Sequence, residues 1–404
     1  MPDPIIRATR TDIAADCEFG ENVVIEADEV AIGPGSRIGF SDADDFRTPP
    51  GVRVTASRFT AGSGVRIGRG IRIEGGEIAL GEGVRVVRDA TIRVTGRLEI
   101  GAYGTVGEAC EISGVEVRIG QELWMLPQAK IGGGSAFEAS SRLDAGHYLH
   151  VGVHALINTA RPVVIGHEVG LGTRTSIYTH GAYASALMGY PVAFAGVEIG
   201  DFTWVPGATI NPGVRIGRNC VIGVNSLVTK NIPDGSLAAG SPAAVIRESY
   251  YPRPLSASRL ASFWLEFLTL YATLLRSPTS AEAADDGSRV SLATGDATYV
   301  GVIDADAWQG AGRRSLDGGS RAIIVGPGVS ADLPDDRWTL FDTTTRRVAG
   351  TADAVSDRFT NELRRHGIRF YSRGRAGRYA DWEVDAPRFE GEPIVAEARS
   401  ASPA

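Results

Sequence analysis

Apolar residues recur along this chain at a period of six. Ile119, Met125, Ile131, Phe137, Leu143 and Leu149 keep that spacing throughout. So do Ile67 and Ile73, then Val86, Ile92 and Leu98, then Ile165, Leu171 and Ile177, then Ile210, Ile216, Ile222 and Val228. A helix repeats its apolar positions at three and four, and a strand at two. Six fits a short strand, a turn, and the same again, with one inward aliphatic on each flat face. Many of these aliphatics are followed by Gly, from Ile32-Gly33 to Ile222-Gly223, because a tight corner needs backbone that Gly adopts cheaply. A single coil of this kind cannot bury its apolar row. Stacked coils bury it as one continuous core.

The pattern therefore predicts a mainly β fold, a left-handed parallel β-helix built of hexapeptides. The solenoid is expected over 1–248, with loop excursions at 40–63 and 178–198. In the first excursion a Pro-Pro, acidic stretch breaks the register. In the second, Ile177 to Ile199 spends far more chain than one step needs. The pattern ends at Val228. Beyond it, Leu260, Phe263, Trp264, Phe267, Tyr271, Leu274 and Leu275 fall on one helical stripe. The segment 249–288 reads as that amphipathic helix, packed on the solenoid, followed by a linker. Residues 289–390 read as a small α+β domain, with strands at 298–303, 322–325, 338–341 and 368–371 and a helix at 353–366. Residues 391–404 read as a flexible tail.

Composition narrows the classes. A net charge of −7, with no basic excess in either half, disfavours a nucleic-acid partner. Cys17, Cys110 and Cys220 form neither a disulfide framework nor a CxxC pair, which fits a reducing cytoplasm. The N-terminus lacks the basic-then-apolar order of a signal peptide, and no stretch is apolar and long enough to be a transmembrane segment.

Among six histidines, His180 stands apart. It ends the strand Ser-Ile-Tyr-Thr-His and opens the loop GAYASALMGYPVAFAG. An imidazole at a coil edge, beside a loop that can cover it, is placed to take a proton from an attacking hydroxyl or amine. His147, His150 and His154 raise the question of zinc. Their spacings point the three rings at different faces, so no metal is expected.

After the loop comes VEIGDFTWVPGATINPGVRIGRNCVIGVNSLVTKNIPDGSLAAGSPAAVIRE. Its blocks IGDFTW, NPGVRIG, CVIGVNSLVTKNIP and AAGSPAAVIRE closely resemble the terminal coils of hexapeptide acyltransferases, of the maltose/galactoside O-acetyltransferase and xenobiotic acetyltransferase type. The resemblance covers about residues 145–248. It implies an acyltransferase using acetyl-coenzyme A, direct attack without an acyl-enzyme, no metal, and a homotrimer with sites between neighbouring solenoids. Carried over by residue, it makes His180 the catalytic general base. Asn158, Tyr178 and Trp204 would touch the acceptor. Trp204, Gly207, Val224, Thr229, Lys230 and Arg247 would hold the coenzyme.

Each position has a plainer reading too: Trp204 as cover for a coil edge, Asn158 as a turn residue, and Thr229 and Lys230 as corner and exit residues. Cys220 reads as a small filler. Two departures from the family pattern stand out. Ala244 occupies a position that usually carries Lys or Arg, and the step from Val205 to Ile210 is five residues where six is usual. The expected acceptor is a hydroxyl of a sugar or glycan. The alternatives are N-acylation of an amino-sugar or antibiotic, or a non-catalytic solenoid displaying its C-terminal module.

Overall fold

The structure, a computed structural model, describes residues 3–40, 51–275, 279–283, 289–294, 297–302, 322–326, 338–343, 346–350 and 354–370. The chain divides into two compact units, the first running to Pro252 and the second beginning at Arg253.

The first unit is the left-handed parallel β-helix. In its later coils the three faces are carried by short strands. The first face holds Arg142–Ala145, Val163–Ile165, Val197–Ile199 and Arg215–Ile216. The second holds His150–Val151, Gly170–Leu171, Trp204–Val205, Val221–Ile222 and Leu237–Gly240. The third holds Leu156–Ile157, Ser176–Ile177, Thr209–Ile210 and Leu227–Val228. Neighbouring coils pair in parallel, for instance Ile177 with Ile210 and Ile210 with Val228.

The inward aliphatics form one continuous core from Val23 to Ala238. Each fully buried Ile or Leu contributes roughly 1.5–3 kcal/mol. Small residues fill the corners behind them, among them Cys110, Ala129, Ala155 and Cys220. At one corner Gly120 admits the coil below, since a Cβ there would sit 2.5 Å from His147 Nδ1.

The early coils depart from six. Val23–Ile32, Val52–Ala61, Ile71–Leu80 and Thr91–Ile100 are ten-residue strands that run across the third face and around the corner onto the first. Ile73 is followed inward by Ile78, five residues on. The first excursion is consequently shorter than its sequence boundaries. Val52–Ala61, inside the stretch 40–63, is a paired strand of the solenoid.

The corner from third to first face, closed by continuous strand early on, opens in the later coils. One loop leaves there at 181–196, within the expected excursion. A second, unexpected, leaves between Ile131 and Arg142. Phe137 kept the six-residue rhythm yet is 49% exposed. Ile131 to Leu143 is a whole multiple of six, so the pattern hid the loop.

In the second unit, strands Thr279–Ala283, Arg289–Thr294, Ala297–Val302, Ala322–Gly326, Trp338–Asp342 and Arg347–Gly350 form one mixed sheet in that order. The strand at 279–283 lies in the stretch read as linker. Helices Ala257–Leu275 and Ala354–Arg365 belong to the same unit. The helical stripe was expected to pack on the solenoid. Instead Trp264, Phe267 and Tyr271 share a core with Val325, Phe341, Phe359, Leu363 and Phe370, because aromatic faces of this size need an equally large apolar partner. Residues 368–370 form no strand, and the tail 391–404 lies outside the described residues. Among the described residues, no helix is long and apolar enough to cross a membrane.

Candidate active site

His180 sits at the open corner. Its strand partner, Ala193–Phe194, folds back antiparallel to His180–Gly181, so the loop 181–196 begins and ends beside the imidazole. Phe194 stacks on the ring at 5.7 Å between centroids and 20° between planes. The Arg161 guanidinium lies 4.8 Å over Phe194. The same guanidinium donates to Ala160 O at 2.7 Å and Ser140 Oγ at 3.0 Å and lies 3.6 Å from Glu138. Arg161 therefore ties the 132–141 loop to the returning strand.

His180 Nδ1 lies 2.9 Å from Asn158 Oδ1. The same Oδ1 accepts from Thr179 Oγ1 at 2.7 Å and Ala160 N–H at 3.3 Å. Asn158 Nδ2 donates to the carbonyls of Gly132 and Gly134 at 3.4 and 3.3 Å. This network sets the amide's orientation, because only the NH2 can face two carbonyls. In the neutral ring Nδ1 is then the protonated nitrogen, and Nε2 carries the lone pair. Gly134 leaves that side open: a Cβ there would stand 3.7 Å from Nε2. Asn158 is only 4% exposed and its hydrogen-bonding capacity is spent within the chain. The structure thus sets it behind the imidazole, not on the face that an acceptor would meet.

The other sequence candidates occupy three places. Tyr178, 39% exposed, follows Ile177 at His180's corner. By register it stands in one column with Asn211 and Thr229, and Lys230 follows Thr229, both exposed. Trp204 lies on the second face, 56% exposed, its indole over Gly170, where a Cβ would come to 3.2 Å. Trp204, Val221, Leu237 and Arg247 are consecutive partners across that face.

Gly207 and Val224 share the corner between the second and third faces. The five-residue step is absorbed there. In the coils on either side, Arg174 and Asn225 turn this corner at φ 59°. Here that residue is missing, and Gly207 at φ 115° closes the turn by donating its N–H to Val205 O at 2.9 Å. Ile210 stays fully inward. The Gly207 N–H is thus engaged within the turn. Its carbonyl accepts from Asn225 N–H at 2.8 Å, and Val224 beside it is 62% exposed. Ala244, on the last strand, faces Ala239 across the ladder.

One chain therefore brings only Asn158, Tyr178, Thr229 and Lys230 to His180's corner and holds Trp204, Arg247, Gly207 and Val224 elsewhere. The corner holding His180 lies opposite the face holding Trp204 in a three-sided prism.

The remaining histidines have structural places. His147 Nδ1 accepts from Gln121 N–H at 2.9 Å, and His167 Nδ1 from His147 N–H at 3.0 Å. Their rings stack at 5.0 Å. His150 is on the second face and His154 at the next corner. Among the described residues, no group of three or more His, Cys, Asp or Glu gathers. Burial pushes the thiols of Cys110 and Cys220 up, away from the reactive thiolate.

Sequence reasoning missed Arg161, Phe194 and the 132–141 loop. The available signal was Gly132-Gly133-Gly134, a run that no hexapeptide corner needs.

No family model matches the chain. It is similar to a galactoside O-acetyltransferase of Escherichia coli, 33% identical over 132 residues, 30% of this chain and 64% of that one. A Saccharomyces cerevisiae protein with a provisional acetyltransferase name is 37% identical over 112 residues, 27% of this chain and 57% of its own. The chain thus spans less than two thirds of these relatives. Among solved structures, a maltose O-acetyltransferase of Clostridium difficile matches 35% of this chain and 67% of its own at 27% identity, with a TM-score of 0.23. A hexapeptide-repeat acetyltransferase of Vibrio cholerae, in complex with acetyl-coenzyme A, matches 37% and 69% at 21% identity, also with a TM-score of 0.23. The terminal coils resemble hexapeptide-repeat acetyltransferases.

Proposed function

We propose that this protein transfers an acetyl group from acetyl-coenzyme A to a hydroxyl of a sugar or glycan, with His180 as general base. The observation that carries the reading is the imidazole itself. A buried amide holds its Nδ1–H, and Nε2 is left basic beside an open glycine. Nε2 takes the acceptor's proton as its oxygen attacks the thioester carbonyl. The tetrahedral intermediate collapses, the C–S bond breaks, and the imidazolium returns the proton to the departing thiolate. Asn158 orients the base, and Tyr178 and Phe194 form walls for the acceptor. Trp204, Val224, Thr229, Lys230 and Arg247 hold the coenzyme. Gly207 contributes the shape of its corner, since its N–H is already engaged.

The assembly is a homotrimer. His180 of one subunit faces the second-face residues of its neighbour, which supplies what each chain separates. The exposed Tyr183, Leu187, Met188 and Tyr190 of the 181–196 loop are available to seat on that neighbour. The sugar acceptor follows the name of the Escherichia coli relative.

Thiol release from acetyl-coenzyme A, with acceptor products read by mass spectrometry, tests the reading. His180→Ala should lower the rate by roughly 10²–10⁴-fold while acetyl-coenzyme A still binds. A variant turning over near the wild-type rate would refute the base assignment.

A further inference from the structure

Three consecutive glycines open the 132–141 loop, and the fold demands two of them. At Gly132 a Cβ would collide with Ser113. Gly133 turns at φ 103°, where side chains are strained. Gly134 meets neither demand. Its φ lies outside the left-handed region. Among the described residues, a Cβ there would meet only Cε1 and Nε2 of His180 within 4 Å, both at 3.7 Å, an ordinary contact distance. Alanine would fit, and by restricting the unfolded chain it would favour the folded one. The physical reason for a glycine at this place therefore lies beside the imidazole and not in the backbone.

The loop is pinned at both ends, so it has little room to retreat from a side chain added at 134. The carbonyls of Gly132 and Gly134 accept from Asn158 Nδ2 at 3.4 and 3.3 Å. At the far end Ser140 Oγ donates to Ala160 O at 2.9 Å, and Ser141 Oγ lies 2.9 Å from Thr159 Oγ1. The residues 158–160 that anchor the loop include the amide that orients the base. Whatever stands on the Gly134 Cα is consequently felt at His180.

An acceptor oxygen that gives its proton to Nε2 must come within roughly 2.6–3.2 Å of it. The carbon bearing that oxygen then enters the shell in which a side chain at 134 would stand. A primary hydroxyl brings a CH2 with one further carbon. A secondary ring hydroxyl brings a CH with carbons on both sides. Phe194 already stacks on the imidazole, so the added bulk of a secondary acceptor needs the space beside Gly134. We infer that Gly134 determines the specificity of the acceptor site, its bare Cα admitting a secondary hydroxyl of a sugar ring to His180 Nε2. The acceptor proton passes to Nε2, its oxygen bonds the acetyl carbon, and the coenzyme thiolate leaves with that proton. The inference deepens the function proposed above and rests on that reading for the transfer step.

The test compares full-length wild type with Gly134→Ala, Gly134→Leu and the control Ala139→Leu, which adds the same bulk at an exposed position of the same loop. Gly134→Ala should melt no lower than the wild type; a marked loss would make the glycine a folding requirement and overturn the inference. Diethyl pyrocarbonate, which modifies an accessible neutral imidazole, reads the space beside Nε2 without any acceptor. Its rate at His180, mapped by mass spectrometry against the exposed His154, should fall in Gly134→Leu and hold in Ala139→Leu. An unchanged rate in Gly134→Leu would overturn the placement. Acetyl transfer is then read on methyl glucoside, galactoside and mannoside, each offering primary and secondary hydroxyls, with the acetylated position mapped by NMR. The wild type should acetylate ring positions. In Gly134→Ala the ratio of secondary to primary product should fall by roughly 10- to 200-fold, the effect of one carbon in a close-fitting site, and in Gly134→Leu further. Transfer by the wild type to the primary hydroxyl alone, or an unchanged ratio in both variants, overturns this inference and leaves the function above standing. No transfer to any of the sugars while acetyl-coenzyme A binds counts against the function above, and the acceptor class falls with it.

Discussion

Asn158→Ala probes the site at its least redundant point. The substitution deletes the acceptor of three hydrogen bonds, from His180 Nδ1, Thr179 Oγ1 and Ala160 N–H, and the donor of two longer ones to Gly132 and Gly134. Thr179 keeps a second acceptor in the Asn158 carbonyl at 3.2 Å. The buried Ala160 N–H and the imidazole N–H do not. Orphaned buried donors cost about 1–3 kcal/mol each, so the solenoid should lose about 2–4 kcal/mol in chemical denaturation. The freed ring should lower kcat by roughly 10- to 100-fold, the scale of a misplaced reacting group. KM for acetyl-coenzyme A should move little, because most of that set lies on another face.

Thiol-release kinetics on Asn158→Ala, His180→Ala and the double variant complete the cycle. In the His180→Ala background Asn158→Ala should cost almost nothing further, since the amide acts through the imidazole. Asn158→Asp supplies the opposite arm. It sets a carboxylate beside Nδ1, which stabilises the imidazolium, so the acidic limb of kcat/KM should move to higher pH by roughly one to three pH units. A near-wild-type kcat in Asn158→Ala, or an undiminished penalty in the double variant, would refute the positioning argument.

Two further outcomes follow from the architecture. Co-expressed His180→Ala and Trp204→Ala chains should assemble into mixed trimers that recover part of the activity each lacks alone; light scattering gives the mass, and a monomer with full activity would remove the shared site. Truncation after Pro252 should leave a folded solenoid, whereas truncation after 285 should aggregate, because Trp264, Phe267 and Tyr271 would lose the partners that cover them; circular dichroism and size exclusion on both chains decide this.

The sequence by itself determined the solenoid and its terminal coils, and it singled out His180 as a candidate. Each inward aliphatic and each Gly corner is a local choice, repeated often enough to be read as a period. Cys220 was legible as filler for the same reason. What tertiary structure decided is everything that depends on which coil lies beside which. Column neighbours on the second face are separated by 26 residues from Trp124 to His150, 20 to Gly170, 34 to Trp204 and 17 to Val221. Every excursion resets that offset. Asn158 meets His180 across 22 residues, a distance that no local rule marks.

The loop at 132–141 stayed hidden because its length preserved the six-residue phase. The separation of His180 from Trp204 is likewise a property of the prism and not of the chain, as is the approach of Gly134 to the imidazole. The helical stripe of 257–275 announced a buried face, but a stripe carries no address. Only the fold, which supplies Phe341 and Phe359 as its partners, decided where that face is buried.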